Sequence, residues 1–304
     1  RQRLDRHSSY AGSLSNLAIC LAKRRDYAAA VAALEEAIDH QEAAYHGNPG
    51  RAQYGEFLAN HYQNLAQIQR DLGCPSEALR LWEQEIQLRE RLATENPAVG
   101  DFRSELAEAC SHLAGWLRDA GRPEAAVPWF QKSVDAMEIH AGSRGGMPED
   151  RKRLADAYDQ LAASHHEAGH EDEAFRCLQR ARELLEELAK GDPTDETTRL
   201  NLAANYFSTA MVQGRRGQLP DSEHWLLLAR DGQRELVDQR PENVAARRAL
   251  GNTLLTLGRL QRELGRDADA LDSLSGSVTL CQALAEEHPD QLPLARDWAN
   301  ACNS

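Results

Sequence analysis

Small side chains recur along the chain every 48 residues, in two columns on either side of a recurring turn. The column seven residues before the turn consists of Ala18, Ala66, Ala114, Ala162, Ala210 and Gly258. The column five residues after the turn consists of Ala30, Ala78, Ala126, Ala174, Ser222 and Ala270. Two helices pack closely where small residues of one face large residues of the other, so these columns predict a helical hairpin in every repeat.

Large apolar residues stand beside the small ones at the same period. On the first helix they are Leu17, Leu65, Leu113, Leu161 and Leu257, with Thr209 as the exception. On the second helix they are Leu34, Trp82, Phe130, Leu178, Leu226 and Leu274. A second bulky column lies earlier on the first helix, at Tyr10, Leu58, Leu106, Leu154, Leu202, Leu250 and Trp298. These columns form the predicted core.

The turn between the two helices is marked by glycine. The turn glycines are Gly73, Gly121, Gly169, Gly217 and Gly265, and Arg25 stands at the same position in the first repeat. A second break follows after 24 residues, at Pro49, Pro97, Pro193, Pro241 and Pro289. Glycine supplies the left-handed conformation that ends a helix, and proline cannot continue one. Each repeat should therefore hold two helices of about 20 residues, each roughly 30 Å long.

The period divides the chain into six repeats and part of a seventh, at roughly 1–48, 49–96, 97–144, 145–192, 193–240, 241–288 and 289–304. The third repeat is irregular, because Gly145 replaces the proline and Pro148 follows three residues later. A flexible connection is predicted at 141–146. We expect one all-α domain over residues 1–304, excerpted from a larger protein, because residue 1 is not methionine and the seventh repeat stops partway.

The order of these residues resembles the tetratricopeptide repeat (TPR). The family pattern has a small residue, a glycine seven positions later, an alanine after five more and a bulky residue after another four. The segment 64–79, from Asn64-Leu65-Ala66 to Ala78-Leu79, is similar to the family consensus. The resemblance covers essentially the whole chain. It implies a right-handed α-solenoid, in which six helix-turn-helix repeats and part of a seventh first helix wind into a superhelix.

Two features of the repeats depart from the usual family pattern. The repeats are about 14 residues longer than the usual 34, and the family's aromatic position is kept only at Tyr62, Tyr158 and Tyr206. Long repeats such as residues 88–97 are similar to the C-terminal arrays attached to bacterial Ser/Thr protein kinases. This resemblance implies the non-catalytic arm of a signalling protein, because the kinase motifs themselves are absent from the sequence.

In the TPR family the first helices line a concave face that binds peptides or proteins. The inward-facing columns correspond here to Asn60, Gln63, Gln67, Arg70, Glu108, Ser111, Arg118, Asp156, Asp159, Phe207, Met211, Asn252, Leu255 and Arg259. This surface is polar and acidic in its middle and more apolar towards the C-terminal end, which suits a peptide with a basic stretch and an apolar anchor. The alternative is a solvated surface without a partner. Ser15 and Ile19 replace the Lys and Asn of the chaperone-binding clamp, so chaperone tails are not expected.

The composition limits the classes of partner and compartment. The formal net charge of −13 argues against nucleic acid, because phosphate binding requires clustered Lys and Arg. The sequence contains no apolar run of about 18 residues and no signal-peptide pattern, so we expect no membrane span in this segment. Six scattered cysteines without a CxxC pair favour free thiols and a cytoplasmic location. No cofactor is expected.

One pentapeptide matches a catalytic motif. Residues 166–170 read His-Glu-Ala-Gly-His, the HExxH pattern in which two histidines one helical turn apart bind zinc and the Glu acts as a base. A zinc-dependent hydrolase using His166, Glu167 and His170 is therefore one alternative, and a surface metal site that includes His165 is another. A turn is the favoured interpretation, because Gly169 belongs to the turn column and should separate the two histidines.

Three functions from different classes follow from these patterns. The favoured one is a non-enzymatic scaffold that binds protein or peptide partners, including basic ones, or associates with itself. The second is the zinc hydrolase, and the third is a structural spacer. The tryptophans at 82, 116, 129 and 225 fall in or next to packing columns and are predicted to belong to the core.

Overall fold

The helices predicted from the glycine and proline breaks are present throughout a computed structural model that describes residues 2–143 and 145–303. The thirteen helices of this described part are α1 (Gln2–Lys23), α2 (Tyr27–Gly47), α3 (Ala52–Asp71), α4 (Pro75–Glu95), α5 (Asp101–Asp119), α6 (Pro123–Ser143), α7 (Pro148–Glu167), α8 (Glu171–Gly191), α9 (Glu196–Arg215), α10 (Leu219–Gln239), α11 (Val244–Glu263), α12 (Asp267–Glu287) and α13 (Leu292–Cys302). The described residues contain no strand. The all-α fold of helical hairpins is confirmed.

The chain forms two compact units, Arg1–Gly146 and Met147–Ser304. In the first unit, α1 pairs with α2, α3 with α4, and α5 with α6. Each hairpin stacks on the next through its second helix, because α2 packs against α3 and α4 packs against α5. The connection predicted at 141–146 includes Arg144, which lies outside the described residues, while α6 continues to Ser143.

The second unit repeats the same arrangement. Its hairpins are α7–α8, α9–α10 and α11–α12, and α8, α10 and α12 each pack against the first helix that follows. The last of these first helices is α13, which packs on both α12 and α11. First helices also contact one another, α7 with α9 and α9 with α11, so their exposed sides form a continuous surface within this unit.

The hairpin turns have the geometry that the glycine column predicts. All five turn glycines have φ values between 72° and 82°, and Arg25 is the one described non-glycine residue with positive φ, at 63°. At the α3–α4 turn, the Gly73 N–H donates to the Arg70 carbonyl and the Cys74 N–H donates to the Gln69 carbonyl, both at 2.9 Å. This pair of hydrogen bonds satisfies the last carbonyls of the helix, as in a Schellman motif.

The small columns lie where the two helices of each hairpin touch. Ala18, Ala66, Ala114 and Ala210 are fully buried, as are Ala30 and its equivalents Ala78, Ala126 and Ala174. At Gly258 a methyl group would come within 2.7 Å of the Leu274 side chain and 3.1 Å of the Ala270 carbonyl oxygen. Close helix contact therefore depends on these small residues, as the sequence predicts.

The bulky columns are buried only where a neighbouring hairpin covers them. Leu65 and Leu58 on α3 are 4% and 3% exposed, whereas their equivalents Leu17 and Tyr10 on α1 are 51% and 47% exposed. The difference arises because α3 packs against its hairpin partner α4 and also against α2 and α1 of the preceding hairpin, whereas α1 packs mainly against its own partner α2 and only slightly against α3. None of the helices in the described part of the chain is both long and apolar enough to cross a membrane.

Candidate partner-binding site

The residues predicted to face a partner fall on the exposed side of the first helices, and several of them line three cavities. Gln63, Gln67, Arg70 and Ser111 line one cavity of the first unit. Asn60, Gln63 and Glu108 line a second cavity of that unit. Asp159, Phe207 and Met211 line a cavity in the second unit. The structure thus brings these residues together in three groups, and their role in binding a partner stays a prediction.

The largest of the three, which we call the tryptophan cavity, lies between α3 and α5 and measures about 570 Å³. Trp82, which is 4% exposed, and the half-buried Trp116 contribute their rings, whose centroids are 5.2 Å apart with an interplanar angle of 52°. Gly115 also lines the cavity, and a methyl group there would meet nothing within 4 Å. The space is therefore large enough for a side chain of a partner.

Polar groups surround these rings on both helices. The α3 side provides Gln63, Asn64, Gln67 and Arg70, and the α5 side provides Ser111, His112 and Asp119. Gln63 Nε2 lies 3.4 Å from His112 Nδ1 across the cavity. Arg70 is held by its neighbour Asp71, whose Oδ1 accepts hydrogen bonds from Nε at 3.1 Å and from Nη2 at 2.8 Å. Amide groups beside aromatic rings can hydrogen-bond a peptide backbone and pack against an apolar side chain.

The second cavity of the first unit, about 220 Å³, adjoins a buried ionic cluster. Arg89 is 6% exposed, and its guanidinium donates at 2.8 Å to Glu85, to Glu105 and to Asn60. Glu85 is 1% exposed, and burial raises its pKa to about 7 although Arg89 opposes the rise. Burial also raises the pKa of Glu105. All three hydrogen-bonding directions of Arg89 are thus satisfied inside the protein.

The cavity of the second unit, about 140 Å³, lies between α7 and α9, and we call it the aspartate pocket. Asp159 contributes its carboxylate to this pocket, and Asn205 Nδ2 donates to Asp159 Oδ1 at 2.7 Å. The same amide group donates to the Leu178 carbonyl oxygen at 3.1 Å, which fixes its orientation. Burial raises the pKa of Asp159 to about 7, and the hydrogen bond from Asn205 only partly offsets this.

The HExxH pentapeptide borders the aspartate pocket, but its two histidines do not share a helix. α7 ends at Glu167, Gly169 has a φ of 82°, and His170 directly precedes α8. His166 Nδ1 instead donates to Glu171 Oε2 at 2.6 Å. Within the described residues, no three His, Cys, Asp or Glu side chains are arranged to hold a metal ion. The pentapeptide therefore forms a turn with the geometry of the other hairpin turns.

The remaining predicted residues lie outside these three groups. Arg118 lies over the Phe130 ring, 5.4 Å from its centroid, and Asp156 accepts a hydrogen bond from Asn201 at 3.2 Å. Leu255 is only 8% exposed, so little of its side chain could touch a partner. On the same helix, Asn252 is half-buried and Arg259 is exposed.

Sequence reasoning missed Glu85, Arg89 and Asn205, and it assigned Trp116 to the core alone. Glu85 and Asn205 could have been found in the sequence, because each is a polar residue at a repeat position that other repeats fill with small residues. Small residues stand at the positions equivalent to Glu85, namely Ala37, Ser133, Ala181, Ala229 and Ser277. A charged side chain in a buried column of small residues requires a partner, and the Arg four residues later supplies it. Asn205 likewise stands where Ala109 and Ala157 are found in other repeats.

Comparison with known protein families identifies the repeats. A sequence model described as tetratricopeptide repeat matches residues 11–45, 106–145 and 154–195. A second model, described as anaphase-promoting complex subunit 5, matches residues 204–300. No curated protein matches the chain.

Several solved structures have a similar fold. BtubC (BKLC) from P. vanneervenii superposes with a TM-score of 0.59 at 16% identity, covering 84% of this chain and 90% of that one. The apo form of RapI has a TM-score of 0.53 at 12% identity and covers 96% of both chains. A putative kinesin light chain from Podosopora anserina, with nearly identical TPR-like repeats, has a TM-score of 0.50 at 18% identity and covers 77% and 96%. At these identities the similarity establishes the fold alone.

Proposed function

Because the chain contains tetratricopeptide repeats and folds as their helical hairpins, we propose that it is a protein-interaction scaffold whose first helices hold a segment of a partner. The observation that carries the proposal is the tryptophan cavity of about 570 Å³ between α3 and α5, lined by aromatic rings and amide groups. Such a combination suits a peptide, since the rings bury side chains and the amides hydrogen-bond the backbone.

The columns themselves support this proposal. Packing positions repeat almost unchanged from one hairpin to the next, as in the series from Ala18 to Gly258. The column that contains Asp159 varies instead, with Ser15, Gln63, Ser111, Phe207 and Leu255 at its other positions. Packing does not require this variation, so the members of the column that are not buried, Gln63, Ser111, Asp159 and Phe207, are free to serve recognition.

We expect a protein or peptide partner with basic character, because the chain has a net charge of −13 and carboxylates line the cavities of both units. The same charge disfavours nucleic acid. Self-association is a second candidate, which the exposed Leu17 and Tyr10 on α1 favour. We propose a non-enzymatic role without a cofactor, since His166 of the hydrolase-like pentapeptide lies on α7 whereas His170 lies in the turn before α8.

At a finer level, we propose that the chain is the non-catalytic arm of a bacterial signalling protein such as a Ser/Thr kinase, acting in the cytoplasm. The support is the resemblance of long repeats, exemplified by residues 88–97, to the arrays attached to such kinases. Obtaining the sequence that surrounds this segment in its gene would test the proposal. A kinase domain in the same reading frame is the expected result, and a complete protein without one would contradict it.

A selection experiment with a random dodecamer peptide library tests the scaffold function. The immobilised chain should enrich peptides that bind with micromolar affinity, measured by fluorescence anisotropy. Gly115→Leu should weaken them at least tenfold, because the new side chain occupies the tryptophan cavity without meeting any atom at its Cβ. Gly142→Leu is the matched control, since Gly142 is also helical, is exposed, and has open space at its Cβ.

Two outcomes would overturn the proposal. One is a library that yields no enriched peptide on the folded chain. The other is a set of peptides that bind Gly115→Leu, Gly142→Leu and the unmodified chain equally well, since the partner would then lie away from the first helices. Either result would favour a solvated surface or a structural spacer.

A further inference from the structure

Asp159 is a largely buried carboxylate without a counter-charge. Its contact with Asn205 Nδ2 at 2.7 Å supplies a hydrogen bond but no positive charge. Within residues 2–143 and 145–303, no lysine, arginine or histidine forms an ion pair with Asp159. Buried carboxylates are normally paired with a cation, because removal from water is costly for an isolated charge. The pocket therefore lacks the group that would complete it electrostatically.

The walls of the aspartate pocket are apolar. Ala162, Leu178 and Val212, each at most 2% exposed, belong to one core cluster and form its base. Phe207 and Met211 of α9 stand at its side, and Met211 is 39% exposed. The pocket thus has an apolar interior, a partly exposed rim and one carboxylate. A ligand that matches it needs an aliphatic stem that ends in a positive charge.

The other charged groups around the pocket are mostly acidic. Asp156 on α7 lies close enough to Asp159 to raise its pKa further, and Glu167 also lines the pocket. His166 lines it too, but its ring is engaged by Glu171 of α8. On the α9 side, the residues that line the pocket are uncharged, and the nearby Arg215 is engaged by the His166 carbonyl oxygen and by Glu171 Oε1. The local charge is therefore complementary to a cation.

We propose that the aspartate pocket receives the side chain of an arginine from the protein partner, with Asp159 as the acceptor of its guanidinium. This rests on the proposed scaffold function and specifies the chemistry of the partner in the second unit. Arginine is favoured because a planar guanidinium packs against an aromatic face such as Phe207 and pairs with a carboxylate in a fixed geometry.

The hydrogen bond from Asn205 positions the acceptor. Because its amide nitrogen also donates to the Leu178 carbonyl, Asn205 cannot turn away without losing both bonds. Asp159 Oδ1 is thereby held on the Asn205 side, and the remaining acceptor sites of the carboxylate serve an incoming donor. The pKa of Asp159, which burial raises to about 7, means that a bound guanidinium would also stabilise the ionised carboxylate.

The chain has only three methionines, Met137, Met147 and Met211, so selective labelling of their methyl carbons with ¹³C gives three NMR signals. The probe is N-acetyl-L-argininamide, for which we expect a Kd on the order of 1 mM in view of its small size. The Met211 signal should shift on titration while the Met137 and Met147 signals stay in place, since only Met211 lines the pocket among the methionines described. N-acetyl-L-citrullinamide, the neutral analogue, should bind at least tenfold more weakly.

Asp159→Asn tests the acceptor with little change in shape, because an Asn side chain can still accept the hydrogen bond from Asn205. It should weaken the arginine probe at least tenfold, and a cooperative thermal unfolding transition measured by circular dichroism would show that the variant is folded. Asp238→Asn is the control, since it removes the same charge from an exposed position on α10. It should leave the affinity within about twofold, as expected for a screened surface charge.

The inference is overturned if the Met211 signal does not move at 50-fold the expected Kd, or if the citrulline analogue shifts it equally. It also fails if Asp238→Asn weakens binding as much as Asp159→Asn. These failures are distinct from failure of the scaffold function, because library peptides whose binding depends on the tryptophan cavity would still show a partner on the first unit.

Discussion

Each unit of the molecule buries a carboxylate beside its first helices, and the two units treat that carboxylate differently. In the first unit, Glu85 pairs with Arg89 at 2.8 Å, and the same guanidinium reaches Glu105 and Asn60. In the second unit, Asp159 has only the amide of Asn205. The first arrangement is complete within the chain. The second provides an acceptor without its cation, which is why we place the recognition of a charged side chain in the second unit.

The charges of Glu85 and Asp159 have different consequences for the stability of the fold. A buried ion pair seldom stabilises a fold more than apolar side chains of the same size, so Glu85 and Arg89 fix the contact between α4 and its neighbours rather than add much stability. A buried carboxylate without a cation lowers stability outright. Since burial raises the pKa of Asp159, we expect this residue to destabilise the free protein and a bound cation to reduce that penalty.

Breaking the ion pair between Glu85 and Arg89 should have the largest effect on the free energy of unfolding. Arg89→Met leaves Glu85 buried without its cation and should lower the free energy of unfolding by about 3–5 kcal/mol, measured by urea denaturation at pH 8. The double variant Glu85→Ala/Arg89→Met places in this hairpin the residues that other repeats carry, since Ala181 and Met137 occupy these columns. It should recover most of the loss. Equal instability of the single and double variants would show that the loss comes from the missing contacts of Arg89 with Glu105 and Asn60 and not from the unpaired Glu85 carboxylate.

Replacing Asp159, the carboxylate without a cation, should increase the free energy of unfolding. Burial raises the pKa of Asp159 to about 7, so between about pH 4 and 7 the folded state binds more protons than the unfolded state, and stability falls as pH rises. Asp159→Asn should abolish this decrease of stability with rising pH, because the amide does not ionise. It should raise the free energy of unfolding by roughly 1–3 kcal/mol at pH 8, allowing for partial exposure of the group, with a smaller gain at pH 5. A gain that is independent of pH would contradict the assigned titration.

The affinity for the arginine probe should follow the same titration. With a pKa of about 7, Asp159 is mostly ionised at pH 8 and mostly protonated at pH 6, so affinity should fall roughly tenfold over that interval. His166 also lines the pocket. Because Asp159 is the proposed acceptor, His166→Gln should keep most of the decrease. Loss of the pH dependence in this variant would assign it to the histidine instead.

The smallest effect is expected at the neighbouring carboxylate of Asp156. This residue accepts a hydrogen bond from Asn201 at 3.2 Å and does not itself line the pocket. Asp156→Asn should change the affinity for N-acetyl-L-argininamide by about twofold, in the Met211 titration used for Asp159→Asn. A loss as large as that of Asp159→Asn would mean that net charge, rather than a specific acceptor, attracts the probe.

The sequence predicts the hairpins well because their determinants are local and periodic. Gly73 and Gly169 both adopt the positive φ that ends a helix and that side chains with a Cβ disfavour. In the α7–α8 turn this conformation separates His166 from His170. The ionic cluster is harder to predict, because Arg89 reaches Glu105 and Asn60 on two other helices through side-chain conformations that no period encodes. The Asp159–Asn205 contact likewise joins residues 46 positions apart.

The boundary between the two units was not predicted either, although the irregular third repeat marks its position. Residues 145–148 break the proline column, and the compact units meet in sequence at Gly146 and Met147. Periodicity alone predicts one domain over the whole chain, and this stays a prediction.

Site-specific photo-crosslinking tests most directly whether a partner lies on the first helices. p-Benzoylphenylalanine would replace either Gln67 on α3 or Gln87 on α4, two exposed glutamines of the same hairpin, of which only Gln67 lines the tryptophan cavity. Irradiation with a library-selected peptide should give a crosslinked product from position 67 and essentially none from position 87. Crosslinking from position 87 alone, or equally from both, would contradict binding on the first-helix face.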